Sequence, residues 1–342
     1  YQTYARARRI LPSVSPGSYP KFASIEIIYS EQFPPDWQGD VISCDFRAHR
    51  VVHFKMSEQG AGYVTKEMPE LLRTTDVTFR PIDVKLGPDG ALYIADWSNP
   101  IIQHGEVDFR DPRRDHEHGR IWRVAAKGRP LVKKPELVKA SNKTLLNELL
   151  SPNSFERAHA GRILAERGDK VLPELAAWTK KQTEEKELLQ ALWAYQAINK
   201  VDLTLLNRLL AAKDGRIRAA AVRVLSEWSA QPTAAEVTRL VDASGSTLLP
   251  VTSRKSVLTQ TDTLALLAKA AADEHPRVRV EAMRALAKIP TARSAELVLS
   301  ATDNLGTDPF LEYAAWLAIN DLVEPFLAAL ESGKWKPEGR AH

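Results

Sequence analysis

The fold of the first part of this chain is decided by one stretch, Ile82-Asp83-Val84-Lys85-Leu86-Gly87-Pro88-Asp89-Gly90-Ala91-Leu92-Tyr93-Ile94-Ala95-Asp96. Its centre predicts a tight turn, because proline fixes φ and an Asp-Gly pair tolerates positive φ. The runs on either side are short and contain the β-branched and aromatic residues that strands favour. The stretch therefore predicts a β-hairpin.

Working outward from this hairpin, we expect more short strands on both sides of it. The predicted strands lie at about residues 25–29, 40–46, 50–56, 62–66, 82–87, 91–96 and 119–125. Four short antiparallel strands per unit are typical of a β-propeller blade. Because only part of a propeller is present, we expect the missing blades to precede Tyr1.

The second part of the chain has a different composition and a repeat. Ten alanines lie in residues 1–140 and 34 in residues 141–342. Stacked helix pairs explain a repeat of this kind, since one pair cannot bury its apolar face alone. We therefore predict an α-solenoid of short HEAT-like repeats, in which the repeated arginines have structural roles and the tryptophans at 178, 193, 228 and 316 belong to the core. The positions that recur at intervals of 61 are Arg157, Arg218 and Arg279; Ala160, Ala221 and Ala282; Arg162, Arg223 and Arg284; and Leu164, Leu225 and Leu286.

The predicted fold class is thus β followed by α, with partial propeller blades before a helical solenoid. A stretch rich in Pro, Gly and Lys at 127–135 separates the two compositions, and such residues interrupt regular structure. The predicted domains are residues 1–126 for the C-terminal part of a propeller, 127–142 for a linker, 143–334 for the solenoid and 335–342 for a tail.

Composition excludes several classes of function. Of the 342 residues, 26% are charged, and 47 basic against 43 acidic residues leave a net charge of +4. This small excess does not indicate a nucleic-acid partner, and no apolar run is long enough for a transmembrane segment. Cys44 is the only cysteine, so these residues contain neither an internal disulfide nor a Cys-x-x-Cys-His haem motif.

Three segments resemble a known family. They run from Phe79 to Val84, from Gly87 to Trp97 and from Arg110 to Arg123. They are similar to the large multidomain proteins of planctomycetes and related bacteria described as membrane-bound dehydrogenase-like or haem-binding CxxCH proteins. The family combines a glucose/sorbosone dehydrogenase-like propeller with HEAT-like repeats and a cytochrome c domain. This sequence departs from the family in lacking the haem motif.

The resemblance implies a function and a set of cofactors. It implies a quinoprotein-type dehydrogenase of a sugar or alcohol, with pyrroloquinoline quinone and Ca²⁺, that passes electrons to haem c in a cytochrome domain in cis, outside this chain. It also implies a periplasmic or extracytoplasmic location. Quinoprotein sugar dehydrogenases hold the quinone with an Arg-Asn-Pro segment. Aligned on Pro81 and Gly90, Arg80 falls on the Asn position and Asp96 on an acidic position.

The densest titratable cluster is Asp115-His116-Glu117-His118. Two imidazoles and two carboxylates could ligate a divalent metal or act as acid and base, with Asp115, His116 and His118 as the catalytic candidates. A solvated loop before the strand at 119–125 explains the same residues. The sequence does not identify a metal.

The candidate cofactor-binding residues are Arg80, Asp83, Asp96 and His104. Arg80 and Asp83 begin one predicted strand and Asp96 ends the next, and these positions meet at one end of an antiparallel hairpin. We therefore expect these side chains and the 115–118 loop to converge at one mouth of the propeller channel. An Arg–Asp pair that only holds the blade together is the alternative.

Two functions of different class remain open from the sequence. The first is a fragment of a quinoprotein-type dehydrogenase. The second is a non-catalytic propeller that binds carbohydrate, joined to a solenoid that presents a surface to a protein partner.

Overall fold

The computed structural model describes residues 21–102, 107–229, 258–302 and 306–334. The chain forms two compact units. Of the described residues, those up to Gln59 and those from Tyr63 to Trp178 form one unit, and Gly60–Gly62 together with those from Thr179 onward form the other. The coarse prediction of antiparallel sheets followed by a helical array is confirmed.

In the described residues, eight strands make two sheets. The pairs β1–β2, β2–β3, β3–β5, β6–β7 and β7–β8 are all antiparallel. The first sheet has the order β1-β2-β3-β4, with β5 paired to β3, and the second has the order β6-β7-β8. All seven strands predicted from the sequence are present, and β5 is an additional one. The strands are β1 (Phe22–Ile27), β2 (Val41–Asp45), β3 (Arg50–Gln59), β4 (Gly62–Glu67), β5 (Leu72–Arg73), β6 (Pro81–Leu86), β7 (Leu92–Asp96) and β8 (Arg120–Val124).

The hairpin between β6 and β7 closes as its sequence predicts. Leu86 pairs with Leu92, and the backbone N–H of Gly87 donates to the carbonyl of Ala91 at 2.8 Å. Gly90 has a φ of +77°, and a Cβ atom there would lie 2.6 Å from the hydroxyl oxygen of Ser30. Glycine at this position therefore relieves both a backbone strain and a steric clash.

The two sheets share one hydrophobic core. Because alternate side chains of a strand point to the same face, Ile42 and Cys44 of β2 enter this core together with Leu92 and Ile94 of β7. The buried side chains of this core are Ile28, Phe33, Ile42, Cys44, Val51, Phe79, Val84, Leu86, Leu92 and Ile94. Burial raises the pKa of the Cys44 thiol to about 12, with a smaller contribution from Asp83. The core fixes where β6 and β7 end, and those ends carry the predicted site residues.

Eleven helices follow in the described residues. They are α1 (Asn142–Glu148), α2 (Ser154–Arg167), α3 (Leu172–Thr179), α4 (Glu185–Ala197), α5 (Leu203–Leu210), α6 (Gly215–Ser229), α7 (Gln260–Ala271), α8 (Pro276–Ala287), α9 (Ala292–Thr302), α10 (Pro309–Asp321) and α11 (Val323–Glu331).

The first helices belong to the unit that contains the sheets. The backbone N–H of Ser154, at the start of α2, donates to the carbonyl of Tyr29 at 2.8 Å. The amide oxygen of Asn153 accepts from the N–H of Glu31 at 3.0 Å, and Arg157 stacks 5.3 Å from the ring centroid of Tyr29. The compact unit therefore extends to Trp178, whereas the linker predicted from composition lies at 127–142. The predicted boundary stays a prediction.

In the second unit the helices pack in two layers. Within one layer α4 contacts α6, α6 contacts α8 and α8 contacts α10. In the other layer α7 contacts α9 and α9 contacts α11. From α7 to α11, successive helices alternate between the two layers, as in stacked helix pairs.

The repeated positions have the same environment in every copy. Ala160, Ala221 and Ala282 are completely buried. The arginine that begins each repeat donates to the backbone carbonyl of the residue six positions earlier: Arg157 to Ser151 at 2.5 Å, Arg218 to Ala212 at 2.8 Å and Arg279 to Asp273 at 3.3 Å. The structural role that we predict for these arginines is confirmed.

Candidate functional site: a buried Arg80–Asp96 centre and two open polar clusters

Asp96 ends β7 and is buried at the junction of three segments. Because Pro81 pairs with Asp96, the backbone N–H of Arg80 lies next to the Asp96 carboxylate and donates to Oδ1 at 2.7 Å. The N–H of Ser98 donates to the same oxygen at 2.9 Å. The turn after β7 is therefore closed by the aspartate side chain.

The second oxygen of Asp96 faces β8. Oδ2 accepts from Arg120 Nε at 2.7 Å and from Trp122 Nε1 at 2.9 Å. The side chain of Asp96 has no exposed surface. Its charge is balanced by Arg120, and each carboxylate oxygen accepts two hydrogen bonds from the chain itself. A carboxylate in this state is stable without a ligand.

Arg80 holds two loops together through its guanidinium group. Nε donates to the carbonyl of Asn99 at 2.8 Å, Nη1 to the carbonyl of Phe46 at 2.9 Å and Nη2 to the carbonyl of Pro100 at 2.9 Å. His49 adds a ring nitrogen 3.2 Å from Nη1. Arg80 is only 5% exposed, and burial lowers its pKa, opposed by the charges of Asp76 and Asp96.

The 115–118 loop forms a polar cluster of its own on the surface. The Asp115 carboxylate accepts from the backbone N–H groups of Glu117 and His118, and His118 Nδ1 lies 3.1 Å from both of its oxygens. The hydrogen bond from the Glu117 N–H, followed by those from His118, lowers the pKa of Asp115. The His118 side chain is 73% exposed, and His116 is also exposed.

A single amide connects this loop to the buried centre. Asn99 Nδ2 donates to the backbone carbonyl of Asp115 at 3.1 Å, and the carbonyl of Asn99 accepts from Arg80. The structure thus brings Arg80 and Asp96 into direct contact and joins Asp115 to them through its backbone. The imidazoles of His116 and His118 remain at the surface.

Asp83 belongs to a different cluster from Arg80 and Asp96. Its carboxylate accepts hydrogen bonds from the Ser24 hydroxyl and from its own neighbour's backbone N–H, at Val84. Lys85 Nζ lies 3.4 Å from Asp83 Oδ1. We predict that Arg80, Asp83 and Asp96 converge at one strand end. Instead, Arg80 and Asp96 lie in one cluster and Asp83 lies in another. The prediction for His104 lies outside the described residues.

Sequence reasoning missed four residues that complete the buried centre. Asn99 and His49 contact Arg80, and Arg120 and Trp122 contact Asp96. Arg120 and Trp122 could have been found, since β8 pairs with β7 and both side chains alternate with Ile121. His49 had no signal in the sequence, because its contact depends on the loop between β2 and β3.

Metal-ligating groups and membrane-spanning helices also bear on function. Within the described ranges no group of three or more His, Cys, Asp or Glu side chains is placed to hold a metal ion. No helix in the same ranges is long and apolar enough to cross a membrane.

Comparisons with known proteins reach part of the chain. A family model described as a domain of unknown function, DUF7133, matches residues 2–128. Among solved structures, a designed armadillo repeat protein, YIII(Dq)4CqI, is similar at 17% sequence identity, over 58% of this chain and 94% of that chain, with a TM-score of 0.28. No curated protein matches the chain.

Proposed function

We propose that this chain is a binding scaffold whose strand-rich part belongs to a carbohydrate-binding propeller. Its helical part would be a HEAT-like solenoid that presents a docking surface to a protein partner. The proposal takes the second of the two functions that the sequence leaves open.

The arrangement of the sheets supports the propeller. Each sheet is a meander of antiparallel strands in chain order, and β1 and β6, the first strand of each, contact one another. In a propeller the first strands of successive blades line the central channel and therefore lie side by side. The first sheet has the four strands in one path that a blade requires.

The two helical layers support the solenoid. Helices of one layer contact their neighbours in the same layer, and from α7 to α11 the chain alternates between the two layers. Stacked pairs of this kind bury alanine at the closest approaches and leave extended surfaces for partners.

The observation that carries the proposal is the complete hydrogen bonding of two buried charged side chains, Asp96 and Arg80. Each oxygen of Asp96 accepts two hydrogen bonds and each nitrogen of Arg80 donates at least one, all to groups of the chain itself. These side chains therefore stabilise the blade, which is the alternative that the sequence left open. The polar groups open to solvent are better suited to bind a ligand than to transform one.

The implied quinone and calcium do not fit Arg80 and Asp96 as they lie here. A bound quinone needs free N–H donors and a bound Ca²⁺ needs free carboxylate oxygens, whereas both side chains are engaged in the fold. We therefore derive no chemical step through either group. Quinone, Ca²⁺, the cytochrome domain and the periplasmic location remain what the resemblance implies.

A second candidate function has one specific observation in its favour. His118 is held by the Asp115 carboxylate at 3.1 Å, and an imidazole oriented by a carboxylate is the usual arrangement of a general base. On this candidate the chain is a fragment of a quinoprotein-type sugar or alcohol dehydrogenase.

One experiment separates the two candidates. The chain is titrated by calorimetry with neutral soluble polysaccharides, and in parallel it is incubated with pyrroloquinoline quinone, Ca²⁺, sugars and an electron-accepting dye. We expect saturable polysaccharide binding without dye reduction. Quinone-dependent dye reduction that is lost when His116 and His118 are both changed to alanine would overturn the scaffold and establish the dehydrogenase.

A further inference from the structure

A polar cluster lies where the free edges of β1 and β6 meet. We name Ser24, Glu26, Asp83 and Lys85 the edge cluster. In the described residues β1 pairs only with β2 and β6 only with β7, so both strands leave one edge open, and these two edges contact each other. The backbone N–H of Val84, on the open edge of β6, donates to Asp83 Oδ1 at 2.9 Å and to Ser24 Oγ at 3.3 Å, so two side chains of the edge cluster take the place of a partner strand.

Both strands are irregular at this point. The register of β1 shifts between Ala23 and Ile25, and that of β6 shifts between Pro81 and Asp83. Ser24, in the first bulge, has a φ of +61°. A bulge redirects side chains away from the regular alternation. The two bulges together bring the Ser24 hydroxyl onto the Asp83 carboxylate.

Lys85 joins the members of the cluster. Its Nζ lies 3.4 Å from Ser24 Oγ, 3.4 Å from Asp83 Oδ1 and 3.8 Å from Glu26 Oε2. The backbone carbonyl of Ile25 accepts from the same ammonium at 3.3 Å. Acceptors and donors of hydrogen bonds therefore alternate within a few ångströms.

The edge cluster differs from the buried centre in its exposure. The side chains of Asp83 and Lys85 are 49% and 58% exposed, whereas Asp96 has no exposed side-chain surface. A molecule from solvent can therefore form hydrogen bonds with Asp83 and Lys85 without displacing any buried side chain.

The charge of the cluster narrows the class of ligand. Two carboxylates and one ammonium leave one net negative charge, which disfavours an anion. A cation would compete with the ammonium of Lys85, which already occupies the space between the oxygens. A neutral polyol avoids both penalties, because each hydroxyl can donate to a carboxylate and accept from an ammonium.

We propose that Ser24, Asp83 and Lys85 contact the hydroxyl groups of a neutral carbohydrate, with Glu26 orienting Lys85. This inference deepens the proposed function and rests on it. It moves the ligand site from Arg80 and Asp96 to the two strand edges.

The test uses the full chain and a panel of neutral soluble polysaccharides (dextran, xyloglucan and galactomannan), with a sulfated dextran for comparison. The variants are Asp83→Asn and Lys85→Met, measured by isothermal titration calorimetry. The matched controls are Asp36→Asn and Lys66→Met, which make the same chemical changes at exposed positions of the strand-rich part. Circular dichroism melting confirms that every variant is folded.

We expect the parent to bind a neutral polysaccharide, each edge-cluster variant to bind at least tenfold more weakly, and both controls to bind as the parent does. Parent binding that neither edge-cluster variant changes would overturn this inference and leave the proposed function standing. Binding of sulfated dextran alone would also overturn it. Absence of binding to any polysaccharide would overturn the proposed function and the inference together.

Discussion

At the scale of single residues, the structure distinguishes charged side chains that are available to a ligand from those that stabilise the fold. Arg80 and Asp96 have the composition of a ligand site, but their hydrogen bonds go to the backbone of neighbouring loops and to β8. A buried charge is tolerated only when its partners are complete. The removal of one partner should therefore be costly for folding.

Asp96→Asn tests this cost. The amide nitrogen of asparagine cannot accept a hydrogen bond, so Arg120 or Trp122 would lose its acceptor on this residue, and Arg120 would keep Asp76 as its ionic partner. Breaking a buried ion pair from one side costs about 3–5 kcal/mol. We expect a fall of that size in the free energy of unfolding measured with urea, and almost none for Asp36→Asn at an exposed position. Equal stabilities would show that Asp96 does not hold β7 and β8 together.

Ala221→Leu tests the closest approach of the helices. Ala221 is completely buried on α6, which contacts helices of both layers. A leucine there overpacks the site, and we expect a loss of roughly 1–3 kcal/mol in stability. Ala220→Leu is the matched control, because Ala220 is only half-buried. Thermal melting of the two variants beside the parent provides the measurement, and identical curves for both would contradict the packing.

At this scale, the sequence predicted the role of the repeated arginines but not the exposure of every tryptophan. The structural role of the repeated arginines was predictable, since repetition at fixed positions points to packing. The tryptophans were harder: Trp178 and Trp228 are buried as we expect, but Trp193 is 41% exposed, so the prediction for it is wrong. Helical periodicity places a residue on a face but does not say whether the next helix covers that face.

At the scale of elements, strands and turns were predictable where local chemistry decides them. The β6–β7 hairpin follows from Pro, Asp and Gly in its turn. β5 was missed because it has only two residues and exists through its pairing with β3 at Arg50 and Val51. No local pattern could indicate a strand that depends on a partner distant in sequence.

The spacing of the helical repeat predicts two helix pairs for each interval of 61 residues. The first interval, from α2 to α6, includes α4 as the intervening helix. The second interval, from α6 to α8, contains residues outside the described ranges, so its number of helices stays a prediction. In the described part of that interval, α6 packs on α8.

The ion pair between α6 and the turn before α8 gives a prediction about pH. Arg218 donates to both oxygens of Asp273, at 2.7 and 2.8 Å. Burial raises the pKa of Asp273, but the hydrogen bonds from Arg218 and from the backbone N–H of His275 outweigh it and lower the pKa. A carboxyl with a lowered pKa stabilises the fold fully above its unfolded value of 3.8, and that stabilisation is lost as the pH falls through the folded value.

Asp273→Asn should therefore cost roughly 2 kcal/mol at pH 7, where the charged hydrogen bonds are intact. The difference between variant and parent should shrink as the pH falls below 3.8, because the unfolded parent then takes up a proton that the folded Asp273 carboxylate resists. Urea unfolding at pH 7 and at pH 3 measures both numbers. Glu274→Gln is the comparison within the same network: Glu274 lies 3.6 Å from Arg218, but its side chain is 90% exposed, and exposed ion pairs contribute little to stability. A difference that is constant with pH would exclude an ionic contribution.

At the scale of the whole molecule, the sequence predicted which of the candidate residues lie side by side at Arg80 and Asp96, but not where Asp83 lies. Antiparallel pairing correctly placed Arg80 beside Asp96. It could not place Asp83, because the bulge between Pro81 and Asp83 changes which way the following side chains point. A one-residue shift in register moves a strand's side chains to the other face, and bulges leave no reliable signal in a single sequence.

The limits of the strand-rich unit give the last prediction. A fragment of residues 1–142 ends at the predicted linker, whereas a fragment of residues 1–178 keeps α1, α2 and most of α3. The longer fragment retains the Tyr29 and Glu31 hydrogen bonds to the start of α2, together with the buried Leu145 and Leu146. Because about 1 kcal/mol corresponds to several degrees in a domain of this size, we expect its melting temperature to be at least roughly 5 °C higher.

Asn153→Ala in the longer fragment is the control for this difference, because it removes the acceptor of the Glu31 N–H without shortening the chain. Its melting temperature should fall between those of the two fragments, as only one of several contacts is lost. Differential scanning calorimetry of the three proteins provides the comparison. If the fragment of residues 1–142 melts as high as the longer one, α1 and α2 contribute nothing to the sheets, and the boundary predicted from composition describes the folding unit better than the contacts do.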